Sequence, residues 1–167
     1  VLCSAQLLLQ GIGDGVQPLI SFYYGAKKED KIHILYRKAF FVTIAVSLIL
    51  CIAVVLFLNP LTALFGISDA IFEGAKTAIL ITTVSFPFLG ITRVTSAIFY
   101  ATEKTRNSTF LVYMEPCLLL PLSLFALSFL FQLNGIWMAY PEAQLILCGI
   151  ALFMKNPLHA PAALPQT

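Results

Sequence analysis

Apolar residues run through this chain in long blocks, separated by a few short polar interruptions. Five blocks are close to the length of about 20 apolar residues that a helix needs to cross a hydrocarbon core of roughly 30 Å. They cover about residues 1–24, 39–58, 77–102, 108–133 and 135–154. We number them spans 1 to 5. The runs are continuous, without the alternation of a barrel strand, so the pattern predicts an all-α, polytopic membrane protein. Residues 59–76 connect spans 2 and 3 and leave room for a short surface helix, which Ser68 would cap with Asp69 in its first turn. The segment 155–167 has prolines and no periodicity, and we expect a disordered tail there.

Composition sharpens this picture. Of 167 residues, 59% are hydrophobic and 11% charged. A soluble domain carries about 25% charged residues, and this composition would leave it with large apolar patches in water. The solvent implied is a bilayer. The formal charge of +2 is small and locally clustered, which excludes a nucleic-acid binder. Span 1 lacks a basic leader and a small-residue cleavage site, so it does not read as a cleavable signal. The chain begins at Val1 rather than a methionine, and we expect it to belong to a longer polypeptide.

Basic residues collect in cytoplasmic loops of membrane proteins. Lys27, Lys28, Lys31, Arg37 and Lys38 follow span 1, Lys104 and Arg106 follow span 3, and Lys155 follows span 5. The opposite side has only Lys76, beside Asp69 and Glu73. The expected topology therefore puts the C-terminus in the cytoplasm, with the protein multi-pass in the plasma or inner membrane. Phe22, Tyr23 and Tyr24 fit an aromatic belt at one interface, and Trp137 and Tyr140 at the other.

Four charges lie inside the spans: Asp14, Arg93, Glu115 and Glu142. Each is costly in lipid, by about 2.5–3.5 kcal/mol on insertion scales. At a rise of about 1.5 Å per residue, they sit roughly 16, 18, 15 and 20 Å from the basic ends of their spans. All four therefore share one slab near the midplane, where transporters hold substrates and coupling ions. Arg93 and Glu115 are on consecutive antiparallel spans at matching depth and form a candidate structural ion pair. Asp14, Glu115 and Glu142 are candidate substrate or ion ligands, with Gln17 as a neutral hydrogen-bonding partner beside Asp14. Three acids against one Arg favour H⁺, Na⁺ or an organic cation, provided that the acids share one cavity.

Gly11, Gly13, Gly15 and Pro18 surround Asp14, which predicts a kinked or partly unwound span 1. Pro87, Pro116 and Pro141 predict similar hinges in spans 3, 4 and 5. Cys3, Cys51, Cys117 and Cys148 are widely spaced and read as free thiols, and no metal site or cofactor is expected. An enzyme would need catalytic residues clustered at one interface, and the spans contain no histidine.

The stretch Gly11-Ile-Gly-Asp-Gly-Val-Gln-Pro-Leu-Ile-Ser21, continuing to Gly25-Ala26-Lys27, resembles the second helix of the C-terminal lobe of multidrug and toxic compound extrusion (MATE) transporters. Tyr100-Ala-Thr-Glu103-Lys104 resembles a later turn of that lobe, and Gly135-Ile-Trp137 with Pro141 the opening of its last helix. The resemblance implies five helices of a six-helix lobe, helices 8–12 of twelve, with helix 7 and the N-terminal lobe supplied elsewhere in the polypeptide. It implies a secondary antiporter that exports cationic or amphipathic compounds against H⁺ or Na⁺ by alternating access. In Na⁺-type members an acid lies in helix 10, whereas span 3 here offers Arg93 and no acid, a departure from that pattern. Two alternatives stand beside this reading: a lipid-linked oligosaccharide flippase of the same superfamily and a non-transporting structural subunit.

Overall fold

A computed structural model describes residues 2–60 and 69–155. Among them the only regular structure is helical. The elements are α1 (Leu2–Gly25), α2 (Glu29–Leu56), α3 (Asp69–Thr83), α4 (Phe86–Ala101), α5 (Thr105–Met114), a π-helical turn (Glu115–Leu119) and α6 (Leu120–Lys155). This is what a bilayer demands, because a helix satisfies its own backbone where no water can. Three stretches are long and apolar enough to cross: Glu29–Leu56, Phe72–Ala101 and Thr105–Met154. α1 has the length, but Gln6, Gln10, Asp14 and Gln17 make it more polar than those three.

The 50 residues of Thr105–Met154 would measure about 75 Å if straight, more than twice the hydrocarbon thickness. They do not run straight. Gln132 leaves the helical region at φ 51°, ψ −128°, and the chain reverses there. Leu111 and Leu119 before the turn then pack with Ala143, Leu147 and Ala151 after it, and Phe99 of α4 completes the cluster. The segments before and after the turn therefore run antiparallel. Gly135 makes the reversal possible, since a Cβ at this position would run into the backbone of Leu127.

Helix α4 is the centre of the bundle and contributes to all three apolar clusters. Its Phe86 and Leu89 meet Ala5 and Leu9 of α1 and Val54 of α2. Towards its other end, Val94, Ile98 and Ala101 meet Ile20, Tyr36 and Ala39. α1 lies parallel to α4: Leu9 is against Gly90, Gly13 against Arg93 and Ala97, and the Ser21 hydroxyl donates to the Ala101 carbonyl at 3.4 Å. Small residues let these backbones approach, which is how helices associate in lipid. A Cβ on Gly13 would be 3.3 Å from both the Ala97 Cβ and the Arg93 carbonyl. The outer surface is apolar, with Phe41, Ile49, Leu56, Phe125 and Phe129 all exposed.

Several boundaries differ from the sequence reading, for identifiable reasons. α2 starts at Glu29, ten residues before the apolar run. Ile32, Leu35, Tyr36 and Ala39 recur at helical spacing and pack against α1 and α4, so the basic segment is helical as well. Glu29 and Asp30 in its first turn suit the helix dipole. The loop after α1 shrinks to a tight turn with Lys27 at φ 53°. Helix also covers Asp69–Thr83, which takes in the second part of the expected external connection, residues 69–76, and the first residues of span 3. The Ser68 cap and the tail from Asn156 onward lie outside the described residues.

The expected unwinding around Asp14 is not observed: α1 is helical from Leu2 to Gly25, through Gly11, Gly13, Gly15 and Pro18. Pro18 costs this helix only the donor for the Asp14 carbonyl, four residues back. Pro141 likewise sits inside α6 without departing from helical geometry. Pro87 does coincide with an interruption, at Val84–Ser85, just before α4. Lacking an N–H, it cannot bond the Thr83 carbonyl, which accepts the Cys51 thiol at 3.5 Å instead. Pro116 coincides with the π-helical turn.

Gly90 provides a test of the α4 packing. A Cβ there would collide with Cγ2 of Thr43, a residue with no exposed surface. Gly90→Ala should lower stability by about 1–3 kcal/mol through overpacking. Gly90→Ala/Thr43→Ser, which removes the obstructing methyl, should restore most of it. Thermal unfolding of the detergent-solubilised protein measures both.

Candidate functional site

Glu115 opens the π-helical turn because proline follows it. The ring of Pro116 cannot donate and crowds the carbonyl of Val112, so the helix widens locally and the Leu120 N–H bonds the Glu115 carbonyl. The Glu115 side chain points into the bundle and is only 10% exposed. Its two oxygens go to different spans. Oε2 lies 3.5 Å from Nη2 of Arg93 on α4. Oε1 accepts Nε2 of Gln144, a fully buried residue on α6, at 2.6 Å. One carboxylate thus ties spans 3, 4 and 5 together at a single depth.

The cluster retains unused polar capacity. Arg93 Nε and Gln144 Oε1 are buried without hydrogen-bond partners among the described residues, and the buried Tyr140 hydroxyl lies beside the Gln144 side chain. Tyr140 is one helical turn before Gln144, so both look into the same interface. At 3.5 Å the Arg93–Glu115 contact is longer than the 2.7–2.9 Å of a tight charge-assisted bond. Arg93 is therefore held at one corner of its guanidinium only.

Its other side faces a groove of about 370 Å³. Gln10, Asp14 and Gln17 form the α1 wall, and Arg93 with Ser96 and Tyr100 the α4 wall. Positions 10, 14 and 17 follow the i, i+4, i+7 spacing of one helix face. Ser108 of α5 closes the groove and shares a hydrogen bond of 2.9 Å with Ser96. Asp14 is exposed in this groove, in contrast to the enclosed Glu115. Arg93 lines the groove with Asp14 and also contacts Glu115.

Of the four midplane charges, three therefore converge. Glu142 does not: it is exposed on the outer side of α6. Gln144 is two positions further on, which is about 200° of rotation at 100° per residue. Because Gln144 faces inward, Glu142 must face outward. The shared site then holds two carboxylates and one guanidinium, a smaller negative excess than three acids would give. Gln144 is not among the residues that the sequence singles out by charge. A glutamine in an Ile/Leu run, placed opposite Glu115 across the Gln132–Gly135 turn, is nevertheless a readable signal. Tyr140, expected in an interfacial belt, instead has its hydroxyl buried in the bundle.

The pairing makes a direct prediction. Removing one member of a buried pair leaves the other uncompensated, at a cost of about 3–5 kcal/mol. Arg93→Gln and Glu115→Gln should each reduce folded yield and melting temperature, and the double substitution should recover part of the loss. A double no better folded than either single would show that the two groups are not coupled.

The chain is 27% identical over 150 residues to the "Multidrug export protein MepA" of Staphylococcus aureus strain NCTC 8325 / PS 47. It is 28% identical over the same length to the protein of that name in strain N315. The alignments cover 89% of this chain and 32% of each relative, so the chain spans about a third of the length of the curated relatives it matches. No solved structure matches it. The model of the MatE family matches residues 3–125, a region that holds Asp14, Arg93 and Glu115 and extends from α1 into α6. By that match over most of its length, the chain belongs to the MatE family of multidrug and toxic compound extrusion transporters.

Proposed function

We propose that this chain is part of a secondary multidrug efflux antiporter, and that Asp14 is the carboxylate at which exported cations and the coupling ion exchange. The observation that carries this reading is the groove in which Asp14 is accessible and faces Arg93. Glu115 has both oxygens engaged by other spans and serves to hold the bundle together. Asp14 has solvent access, flanking amides at Gln10 and Gln17, and a neighbouring cation.

Exchange follows from competition. A carboxylate near the midplane binds a proton, a Na⁺ ion or an organic cation, and accommodates one at a time. Arg93 opposes any second cation, so the arrival of one lowers affinity for the other. Tyr100 adds an aromatic face for the apolar part of an amphipathic compound. The remaining lobe and helix 7 would complete the cavity and alternate its access between the two sides. We place the basic turns and the C-terminus in the cytoplasm of a plasma or inner membrane, following the distribution of Lys and Arg. A flippase for lipid-linked oligosaccharides would call for a cationic surplus. The groove with its neighbour Glu115 has one guanidinium and two acids, which favours the export of cations.

In the complete transporter reconstituted in proteoliposomes, Asp14→Asn should reduce tetraphenylphosphonium export at least tenfold with folded yield unchanged. Glu142→Gln, on the outer face, should leave export near wild type. Separate pH and Na⁺ gradients identify the coupling ion. Undiminished export by Asp14→Asn would remove this residue from the exchange.

A further inference from the structure

The basic end of α2 carries a second surface that the transport site does not use. Tyr36, Ala39 and Thr43 are buried and fix which side of α2 faces the bundle. The opposite side presents Ile34, Arg37, Lys38 and Phe41, which with His33 line an open groove of about 420 Å³. Ile34 is 51% and Phe41 63% exposed. Among the described residues neither Arg37 nor Lys38 forms an ion pair, and Lys27, Lys28 and Lys31 are exposed at the same end of the bundle.

We propose that this groove binds the headgroup phosphate of an anionic phospholipid, with one acyl chain laid against Phe41. The vertical order of groups along the helix is what identifies the occupant. Phe41 lies on the side of the long apolar run, and Arg37 and Lys38 stand about one turn nearer the water, roughly 5–6 Å along the axis. An amphiphile in a leaflet has that same sequence of chemistry over that distance: hydrocarbon, then phosphate. A free phosphate would leave the exposed Phe41 without purpose, and an apolar helix from elsewhere in the polypeptide would strand two cations beneath it. Basic residues at a membrane surface each attract anionic lipid by about a factor of five. Arg37 adds a planar fork suited to phosphate oxygens.

Native mass spectrometry of the full-length protein in mild detergent tests this, with phosphatidylglycerol and phosphatidylcholine as probes. The wild type should retain one phosphatidylglycerol and release phosphatidylcholine. Arg37→Gln/Lys38→Gln should weaken phosphatidylglycerol binding about thirtyfold, and Phe41→Ser should weaken it through loss of the chain contact. Arg37→Lys/Lys38→Arg, which keeps the charge, should bind within a few-fold of wild type and also controls for folding. Equal retention of both lipids by the wild type would overturn the proposal, as would unchanged binding by the double neutral variant. Displacement of the lipid by an equal concentration of inorganic phosphate would make this a free-anion site instead. A thiol introduced by Ile34→Cys that a small maleimide cannot label would show that another part of the polypeptide covers the groove, and would equally overturn it.

Discussion

One carboxylate holds this bundle in register. Glu115 lies at membrane depth, where an unpaired charge costs several kcal/mol, and its two oxygens take their donors from two other helices. Neither donor is near it in sequence. Arg93 must arrive from α4 and Gln144 from beyond the Gln132 reversal. The carboxylate is satisfied only when all three spans are at the same height, so the cost of leaving it alone becomes a restraint on their vertical positions. Apolar contacts alone would supply less restraint, because in lipid one leucine surface is nearly as good as another.

Around that restraint, α4 serves as the shared neighbour. It uses glycine where it meets α1 and α2 and small hydroxyl residues where it meets α5, as at Ser96 and Ser108. Its threonines fold their hydroxyls back on the helix: Thr92 donates to the Phe88 carbonyl and Thr95 to the Ile91 carbonyl. They are thereby satisfied without partners on other helices, and α4 can be polar in composition yet closely packed. Prolines divide by position in the same way. Pro87 and Pro116 lie at a helix start and a π-helical turn, whereas Pro18 and Pro141 are absorbed within continuous helices.

Much of this is legible in the chain alone. The spans stand out because apolar runs of bilayer length would leave a water-soluble fold with more greasy surface than it can bury. The matching depth of Arg93 and Glu115 follows from counting residues away from a short turn. What depth counting lacks is azimuth. Glu142 and Gln144 have nearly equal depth, and only the packing of Ala143 and Leu147 determines that the glutamine faces in. Tyr140 departs from its expected place for the same reason. The helical start of α2 is hidden by its lysines, since charge patterning reports the membrane boundary and not the end of a helix. Proline gives too strong a signal for breakage, because a single lost hydrogen bond is tolerable when neighbouring helices support the segment.

The alternation of sign along the chain has a consequence for biosynthesis. Asp14, Arg93 and Glu115 are made in that order, negative, positive, negative, and Gln144 comes last. Because Asp14 and Arg93 line the same groove, the guanidinium enters a bilayer that already holds an acid for it. Glu115 then finds Arg93 in place when its own span emerges. Glu115 is thus made after its ion-pair partner, and the bond completed last runs from the neutral amide of Gln144 to the Glu115 carboxylate. The order in which these residues are encoded thus lets Glu115 enter lipid with its guanidinium partner already made.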